Sequence, residues 1–474
     1  MPKATSAALE PRRCAGVEKH MLKRALVIAM AMVGLVIGAG FASGQELLQF
    51  FVSFGLNGLW GVLISLVVMV IGSVAIMQLG SYLHAREHTA VFNRVASPAV
   101  AAFLDYAIMF GLFCLGFVMI SGAGSNLNQQ FGWPTWVGSV ILLVLLIGMG
   151  FLDVDRVSKI IGMVTPMIIV LIILGAVVTF FNSDWDIDRL SQVAGTIEHP
   201  LGAGQWWLAA INYVGLNLVC GGSMAVVISG SSLDTKAAGI GGLIAGIVFT
   251  LLLLAATTAL FLNVDVVKDD DVPMLTLLYS IHPIVGLVMA LTIYLMIFNT
   301  AVGNFYSLAK RMTRKKPDWF RPVYFVTVGV GFIFGFLPFD RLVNVVFPIL
   351  GYLGIVLFVV LAVAWVRGRP LITTEENRRN RVRRLLAKRL DPREQYTRRD
   401  RAELHRIAAK SNISDRQLLI SLVGEVEEEL EGDSDLDYEA KFGDLNELDA
   451  DKDDASDALV DELISAEARP GKRR

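Results

Sequence analysis

The sequence predicts an all-α integral membrane protein of about ten transmembrane helices. They form two inverted five-helix repeats with broken first and sixth helices, followed by a soluble C-terminal tail. Three observations carry this expectation. The 474 residues are 54% hydrophobic with a mean hydropathy of +0.57, which excludes an ordinary soluble globule. Charge is sparse before residue 366 and dense after it. Glycine and hydrogen-bonding residues interrupt the first span of each half, where an uninterrupted apolar helix would be the simplest way across a bilayer.

Residues 1–24 read as a cytoplasmic N-terminal segment. Lys23 and Arg24, the apolar run behind them and Ala42-Ser43-Gly44 imitate a signal peptide. The run continues into Leu47-Leu48-Gln49-Phe50-Phe51, too long for a signal core, so an uncleaved span is expected. Met21 follows a polar stretch and is an alternative start.

Ten apolar segments follow, centred on 25–50, 58–80, 100–124, 136–151, 157–181, 206–230, 237–262, 284–309, 321–337 and 342–366, the fourth and ninth short. Lys23, Arg24, Arg86, Arg94, Arg156, Lys159, Lys236, Lys310, Arg311, Arg314, Lys315 and Lys316 fall on one side. The other side carries Arg189, Lys268 and Arg341. The positive side is expected to be cytoplasmic, with both termini there, as an even number of spans requires. The spans divide into repeats at 25–181 and 206–366, joined by an external loop at 182–205. Five spans per half force the halves into opposite orientations.

The first span contains Gly38-Ala39-Gly40-Phe41-Ala42-Ser43-Gly44-Gln45-Glu46. Three glycines and a serine within seven residues support a continuous helix poorly. In hydrocarbon, such a break survives only where it is buried in protein or lines a wet cavity. The competing account is close packing through small residues, although packing alone seldom needs Gln45 and Glu46 just beyond. The sixth span reads Asn212-Tyr213-Val214-Gly215-Leu216-Asn217-Leu218-Val219-Cys220-Gly221-Gly222-Ser223. Two interrupted helices in corresponding positions point to a binding site at mid-depth. The glycines of the seventh span, Gly239, Gly241, Gly242 and Gly246, read as packing.

The stretch Val33-Gly34-Leu35-Val36-Ile37-Gly38-Ala39-Gly40-Phe41-Ala42-Ser43-Gly44-Gln45-Glu46 resembles the opening span of the YkvI-type bacterial membrane proteins. These are relatives of the amino acid–polyamine–organocation superfamily with the LeuT-like five-plus-five inverted-repeat fold. The resemblance covers about residues 21–366. It implies that half-helices of the first and sixth spans aim their ends at the midplane, offering N–H groups to an anion and carbonyls to a cation. Carried over, Gly38, Ala39, Gly40, Phe41, Ser43 and Gly44 would contact solute, with Asn217, Cys220, Gly221, Gly222 and Ser223 opposite them. The alternative for Asn217 is a satisfied interhelical hydrogen bond. In sodium-coupled relatives an ion sits between the first span and two adjacent hydroxyl residues of the eighth. The matching positions are carbonyls at Gly38 and Phe41 with Asn299 and Thr300. The Asn299 position departs from the hydroxyl pattern, so Na⁺ and H⁺ stand as alternative coupling ions. A polar packing seam through Thr292, Asn299 and Gly303 is the competing account.

Glu46 is the sharpest ionisable candidate, as a proton carrier, an outer gate, or a carboxylate already in the headgroup region. Asp105 reads as an interfacial charge. Cys114 and Cys220 lie in apolar spans and read as small hydrophobes. No nucleotide-binding loop, hydrolase elbow or histidine ligand spacing is present in the sequence, so no enzyme, no catalytic residue and no cofactor beyond a coupling ion is expected.

The tail, 367–474, is basic at first and then acidic. Arginines crowd 377–410, a block suited to contact with anionic lipid. A helix is expected around Asp415–Glu431, capped by Ser414, with Leu418, Leu419, Leu422 and Val426 as its apolar face. The acidic remainder is expected to be disordered, and no nucleic-acid partner is expected. The expected function is secondary active transport of a small organic solute, an amino acid or similar zwitterion, by alternating access across the bacterial cytoplasmic membrane. The alternative is a non-transporting sensor or scaffold that signals through its tail.

Overall fold

The computed structural model describes residues 6–85, 91–92, 94, 96–151, 164–183 and 185–431. Among the described residues every regular element is a helix. The first span comprises α1 (Ser6–Val36), α2 (Ala39–Ser43) and α3 (Gln45–Phe50). Then come α4 (Leu56–Leu83), α5 (Pro98–Phe131), α6 (Thr135–Met149), α7 (Val164–Asn182) and the short α8 (Ile187–Ala194). The second half holds α9 (Trp206–Gly230), α10 (Thr235–Leu262), α11 (Val264–Val267), α12 (Pro273–Ile281), α13 (Pro283–Met312) and α14 (Phe320–Phe334). The chain closes with α15 (Phe339–Leu390), α16 (Arg398–Ala408) and α17 (Asp415–Glu431). Among the described residues seven helices are long and apolar enough to cross a membrane. The broken α1–α3 unit and the short apolar α6 and α14 bring the crossings to about ten. Parts of the expected connectors, including Arg86, Arg156 and Lys159, lie outside the described residues, as does the acidic tail beyond Glu431.

Glycine brings the helices close. Gly215 of α9 rests on the α15 backbone, where a Cβ would lie 2.9 Å from Ile355 N and 3.2 Å from Gly354 C. Gly242 and Gly246 of α10 press in the same way against Ser73 and Val70 of α4. With no difference in hydrophobicity between lipid and apolar side chains, close backbone approach supplies the dispersion energy that holds such helices together. The seventh-span glycines are therefore packing residues, as the sequence suggested.

The same physics corrects the sixth span. α9 runs without a break through Asn217, Gly221 and Gly222. Its glycines are contacts: a Cβ on Gly221 would sit 3.5 Å from Val36, and one on Gly222 3.5 Å from Ile76. Asn217 Nδ2 donates to the Tyr213 carbonyl one turn back at 2.8 Å, so the side chain is satisfied inside its own helix. A glycine pair costs a helix about 1–2 kcal/mol, and tight neighbours offset that.

In α15, Pro348 has no N–H to donate to the Asn344 carbonyl. The Leu201 N–H, from the loop joining the repeats, takes up that carbonyl at 3.0 Å. Asn212 Nδ2 of α9 donates to the Pro348 carbonyl at 3.0 Å. An internal proline is thus paired with a loop and a neighbouring helix that use what it frees.

The composition boundary at 366/367 falls inside α15, which is one helix of 52 residues, about 78 Å long. Beyond the span, its Val382, Leu385, Leu386 and Leu390 join Leu404 of α16 and Leu418, Leu422 and Val426 of α17 in a second apolar core that also takes in Leu233. The arginines of the 377–410 block are largely committed to this unit. Arg381 pairs with Glu403 at 2.8 Å, Arg393 with Asp391 at 3.0 Å, and Arg383 with Glu425 and, at 3.5 Å, Asp234. Arg379, 2% exposed, donates to the Ser81, Tyr82 and Leu233 carbonyls at 2.8–3.1 Å and to Asn412 Oδ1 at 2.9 Å. It also pairs with buried Glu375 at 3.2 Å. Arg24 of α1 reaches Glu425 of α17 at 2.7 Å. That contact places the start of the first span and the end of α17 on one side of the bilayer, so the crossings between them are even in number.

Candidate functional site

The site begins with the glycines of the first span. α1 stops at Val36, and Gly38 is extended (φ −92°, ψ −175°) with open space beside its Cα. One short turn follows, then Gly44 turns the chain through the left-handed region at φ +81°, ψ −7°. A side chain at Gly44 would be strained and would meet Met274 N at 3.1 Å and Leu260 Cδ1 at 3.2 Å. The span is therefore bent twice within seven residues, in the protein interior. Starting α2 afresh leaves the N–H groups of Ala39, Gly40 and Phe41 without intrahelical acceptors.

Ser43 stitches the second bend. Its hydroxyl donates to the Gly40 carbonyl at 2.8 Å and accepts from the Gln45 N–H at 3.3 Å. It braces the backbone of the bend from within.

Glu46, in the first turn of α3, is 8% exposed and folds back over Gly40. A Cβ on Gly40 would overlap the Glu46 carboxyl and lie 3.2 Å from its Cγ. Gly40 is thus the residue that makes room for the carboxyl group. The neighbour at the carboxyl is the Tyr213 hydroxyl, which finds no partner of good hydrogen-bond geometry. No cationic side chain among the described residues faces Glu46. A buried carboxylate without a cation is costly unless a proton or a bound cation neutralises it. Glu46 is thus enclosed by protein rather than open to solvent.

Aromatic rings wall this spot. Phe41 packs on Phe249 of α10 at 5.6 Å between centroids, and Tyr213 meets Phe50, Phe51 and Phe249 at 5.6, 5.1 and 6.5 Å. Gln45 and Gln49 of α3 are buried nearby, each with its Oε1 unpaired among the described residues. Gln49 Nε2 donates to the Asp340 carbonyl at 3.1 Å.

The structure brings together Gly38, Ala39, Gly40, Phe41, Ser43, Gly44 and Glu46 at the break. Gly221 of α9 approaches the end of α1 through Val36 and Leu35. Asn217 is buried against its own helix, while Cys220 and Ser223 are half-buried on α9. α13 packs on α2, with Asn299 exposed and Thr300 half-buried, and neither side chain hydrogen-bonds to another described group. Asp105 pairs with Arg311 across α5 and α13, in keeping with an interfacial charge.

Two participants escaped the sequence reading, and a third buried polar residue, Asn126, stands on α5 outside the site just described. Tyr213 and Phe249 stand on helices whose apolar character hid them. Asn126 is 0% exposed with both side-chain polar atoms unpaired among the described residues. The expected third span ends at 124, whereas α5 continues to Phe131 and so includes it. That extension is held by Gln129, which donates to the Val272 carbonyl at 3.0 Å and to Thr276 Oγ1 at 2.7 Å. The run Ser125-Asn126-Leu127-Asn128-Gln129-Gln130 was the available signal.

No family model matches the chain. It is similar to two proteins of Bacillus subtilis (strain 168). It is 25% identical over 331 residues to the uncharacterized membrane protein YkvI, covering 69% of this chain and 92% of that one. It is 26% identical over 341 residues to the uncharacterized protein YyaD, covering 70% and 94%. Among solved structures it is similar to MhsT in complex with L-phenylalanine, with a TM-score of 0.50 and 15% identity over 84% of this chain and 98% of that chain. The resemblance to the YkvI-type proteins therefore extends across most of their length, and the fold is LeuT-like.

Proposed function

We propose that the chain is a secondary active transporter, not an enzyme, moving a small organic solute across the bacterial cytoplasmic membrane by alternating access. The observation that carries this reading is the doubly bent first span with the Glu46 carboxyl folded onto Gly40 in the interior. Unused N–H groups at the start of α2 suit the carboxylate of an amino acid or similar zwitterion. Glu46 suits a coupling H⁺ or the solute's ammonium. Na⁺ between the Gly38 and Phe41 carbonyls, Asn299 and Thr300 is the other coupling mode. The excess of lysine and arginine in alternate loops supports a cytoplasmic position for both termini. The test is uptake into proteoliposomes over a panel of amino acids, with and without Na⁺ and a pH gradient. Solute-specific, gradient-driven accumulation is expected, and its absence with every panel member refutes the reading.

The tail's attachment to α1, α4 and the loop before α10 favours one second reading, a ligand sensor with the tail as effector. A purified protein that binds solute but supports no flux would establish that reading instead.

A further inference from the structure

A cavity of about 270 Å³ lies where α15 leaves the apolar zone, between Val74 and Gln78 of α4 and a strip of α15. Its wall on α15 includes Trp365, Arg369, Thr373 and Glu376. Exposed Val366 and Leu371, 57% and 62% accessible, bracket Arg369, so apolar surface still surrounds this turn. Trp365 anchors the place: its Nε1 donates to Gln78 Oε1 at 2.7 Å, as an interfacial tryptophan does when one edge needs a polar partner. The Arg369 guanidinium stacks 3.9 Å from the Trp365 ring centroid and has no carboxylate partner among the described residues. The arginines further along this helix at 379, 381 and 383 are tied into the tail, whereas Arg369 and the exposed Arg367 keep no carboxylate partner among the described residues, and of these two only Arg369 lines the cavity.

Glu376 lies two turns further along the same helix face, about 10 Å from Arg369 along the axis. It is half-buried and accepts from Thr235 Oγ1 at 3.3 Å. Burial pushes its carboxyl up, Thr235 opposes this, and nearby Asp234 and Lys236 act in opposite senses. The cavity thus carries one cation and one anion within reach of a single small ligand. A purely anionic headgroup would satisfy Arg369 and meet Glu376 as a like charge. A ligand holding a phosphate and an ammonium satisfies both, with the long, flexible Arg369 side chain closing the distance along the helix.

We propose that this cavity binds the headgroup of an ethanolamine phospholipid from the leaflet on the tail's side, with the phosphate on Arg369 and the ammonium on Glu376. Ethanolamine is selected over choline because only the primary ammonium can donate hydrogen bonds to the carboxylate. The bound lipid bridges the last span to the tail at the turn where one becomes the other. This reading stands apart from the transport proposal, since none of its residues belongs to the broken span.

The test uses the delipidated full chain in detergent, followed by thermal unfolding during titration with phosphatidylethanolamine, phosphatidylcholine or phosphatidylglycerol in mixed micelles, and with soluble glycerophosphoethanolamine. Phosphatidylethanolamine should give the largest rise in Tm and half-saturate at about tenfold lower concentration than phosphatidylcholine, the scale of one charge-assisted hydrogen bond. Arg369→Gln should weaken all three lipids. Glu376→Gln should erase the preference for ethanolamine and leave phosphatidylglycerol bound as well or better. Arg398→Gln, on an exposed tail arginine, should change nothing. Equal responses to ethanolamine and choline lipids would overturn the proposal, and that comparison needs no variant. A full response to glycerophosphoethanolamine alone would overturn the lipid as source and assign the cavity to a soluble phosphoethanolamine compound.

Discussion

Replacing Arg379 by methionine tests how the tail is joined to the membrane helices. The guanidinium satisfies the Ser81 and Tyr82 carbonyls at the end of α4, the Leu233 carbonyl before α10 and Asn412 Oδ1, all at 2.8–3.1 Å. It also offsets the buried carboxylate of Glu375, which otherwise keeps only Arg378 at 3.3 Å and Ser411. Methionine keeps the aliphatic stem, takes the buried cation from beside Glu375, and removes the guanidinium donors from the Leu233 carbonyl and Asn412 Oδ1, while the Ser81 and Tyr82 carbonyls keep the His84 N–H and Asn412 Nδ2. Breaking a buried pair from one side costs about 3–5 kcal/mol, and the lost bonds overlap with that figure rather than add to it. The loss falls on the junction, so the tail should detach before the spans unfold. Hydrogen exchange of α16 and α17 should rise by two orders of magnitude or more, since 3 kcal/mol is about a hundredfold. The loop between α15 and α16 should become sensitive to protease. Exchange rates unchanged within a factor of three would refute the reasoning, because they would mean Arg379 is not what holds the junction.

Gly44→Ala should cost about 1–2 kcal/mol from the left-handed backbone alone, with more from Met274 and Leu260, read as a lower Tm in detergent. Gly40→Leu should displace Glu46 and abolish solute binding while the protein still inserts, measured by calorimetry on the purified variant. Glu46→Gln removes a buried charge without a cationic partner; it should keep or raise stability and abolish gradient-driven accumulation in proteoliposomes. Asp271, in the connection between α11 and α12, is held above the usual carboxylate range by burial, against its Ser125 contact and with Asp340 and Asp270 adding repulsion. Its contribution to stability is therefore present at acid pH and lost as pH rises through the raised value, so Asp271→Asn should raise Tm at pH 7 and flatten the pH dependence.

Helix number, the first break and the amphipathic face of α17 were legible because each rests on local composition. Gly38, Gly40 and Gly44 announce a bend wherever they stand, and Leu418, Leu419, Leu422 and Val426 repeat at helical spacing. The sixth span misled because glycine has two uses. Gly215, Gly221 and Gly222 look like a break and serve as contact points, and only their neighbours Gly351, Gly354, Val36 and Ile76 decide between the two. The tail misled for a related reason. Arg379, in the block suited to anionic lipid, is turned inward, because carbonyls from α4 and the α9–α10 loop accept from it. Those acceptors come from residues roughly 150–300 positions away, which no local pattern records. Tyr213 and Asn126 were hidden likewise: their chemistry depends on which helix faces them.

The pair between Arg24 and Glu425 spans 401 positions of sequence. During synthesis the first span enters the bilayer long before its partner exists. It must wait, with its glycine bends unsupported from that end, until the last described helix has emerged and folded. Contacts of such separation form late and slowly, because the chain entropy between them is lost before any reward arrives. Closing the tail is therefore the final step of assembly, and it succeeds only if each intervening crossing has been made in the right sense. A chain with one span inverted or skipped would leave Glu425 on the far side from Arg24, the apolar face of α17 uncovered and the misassembled protein marked for proteolysis.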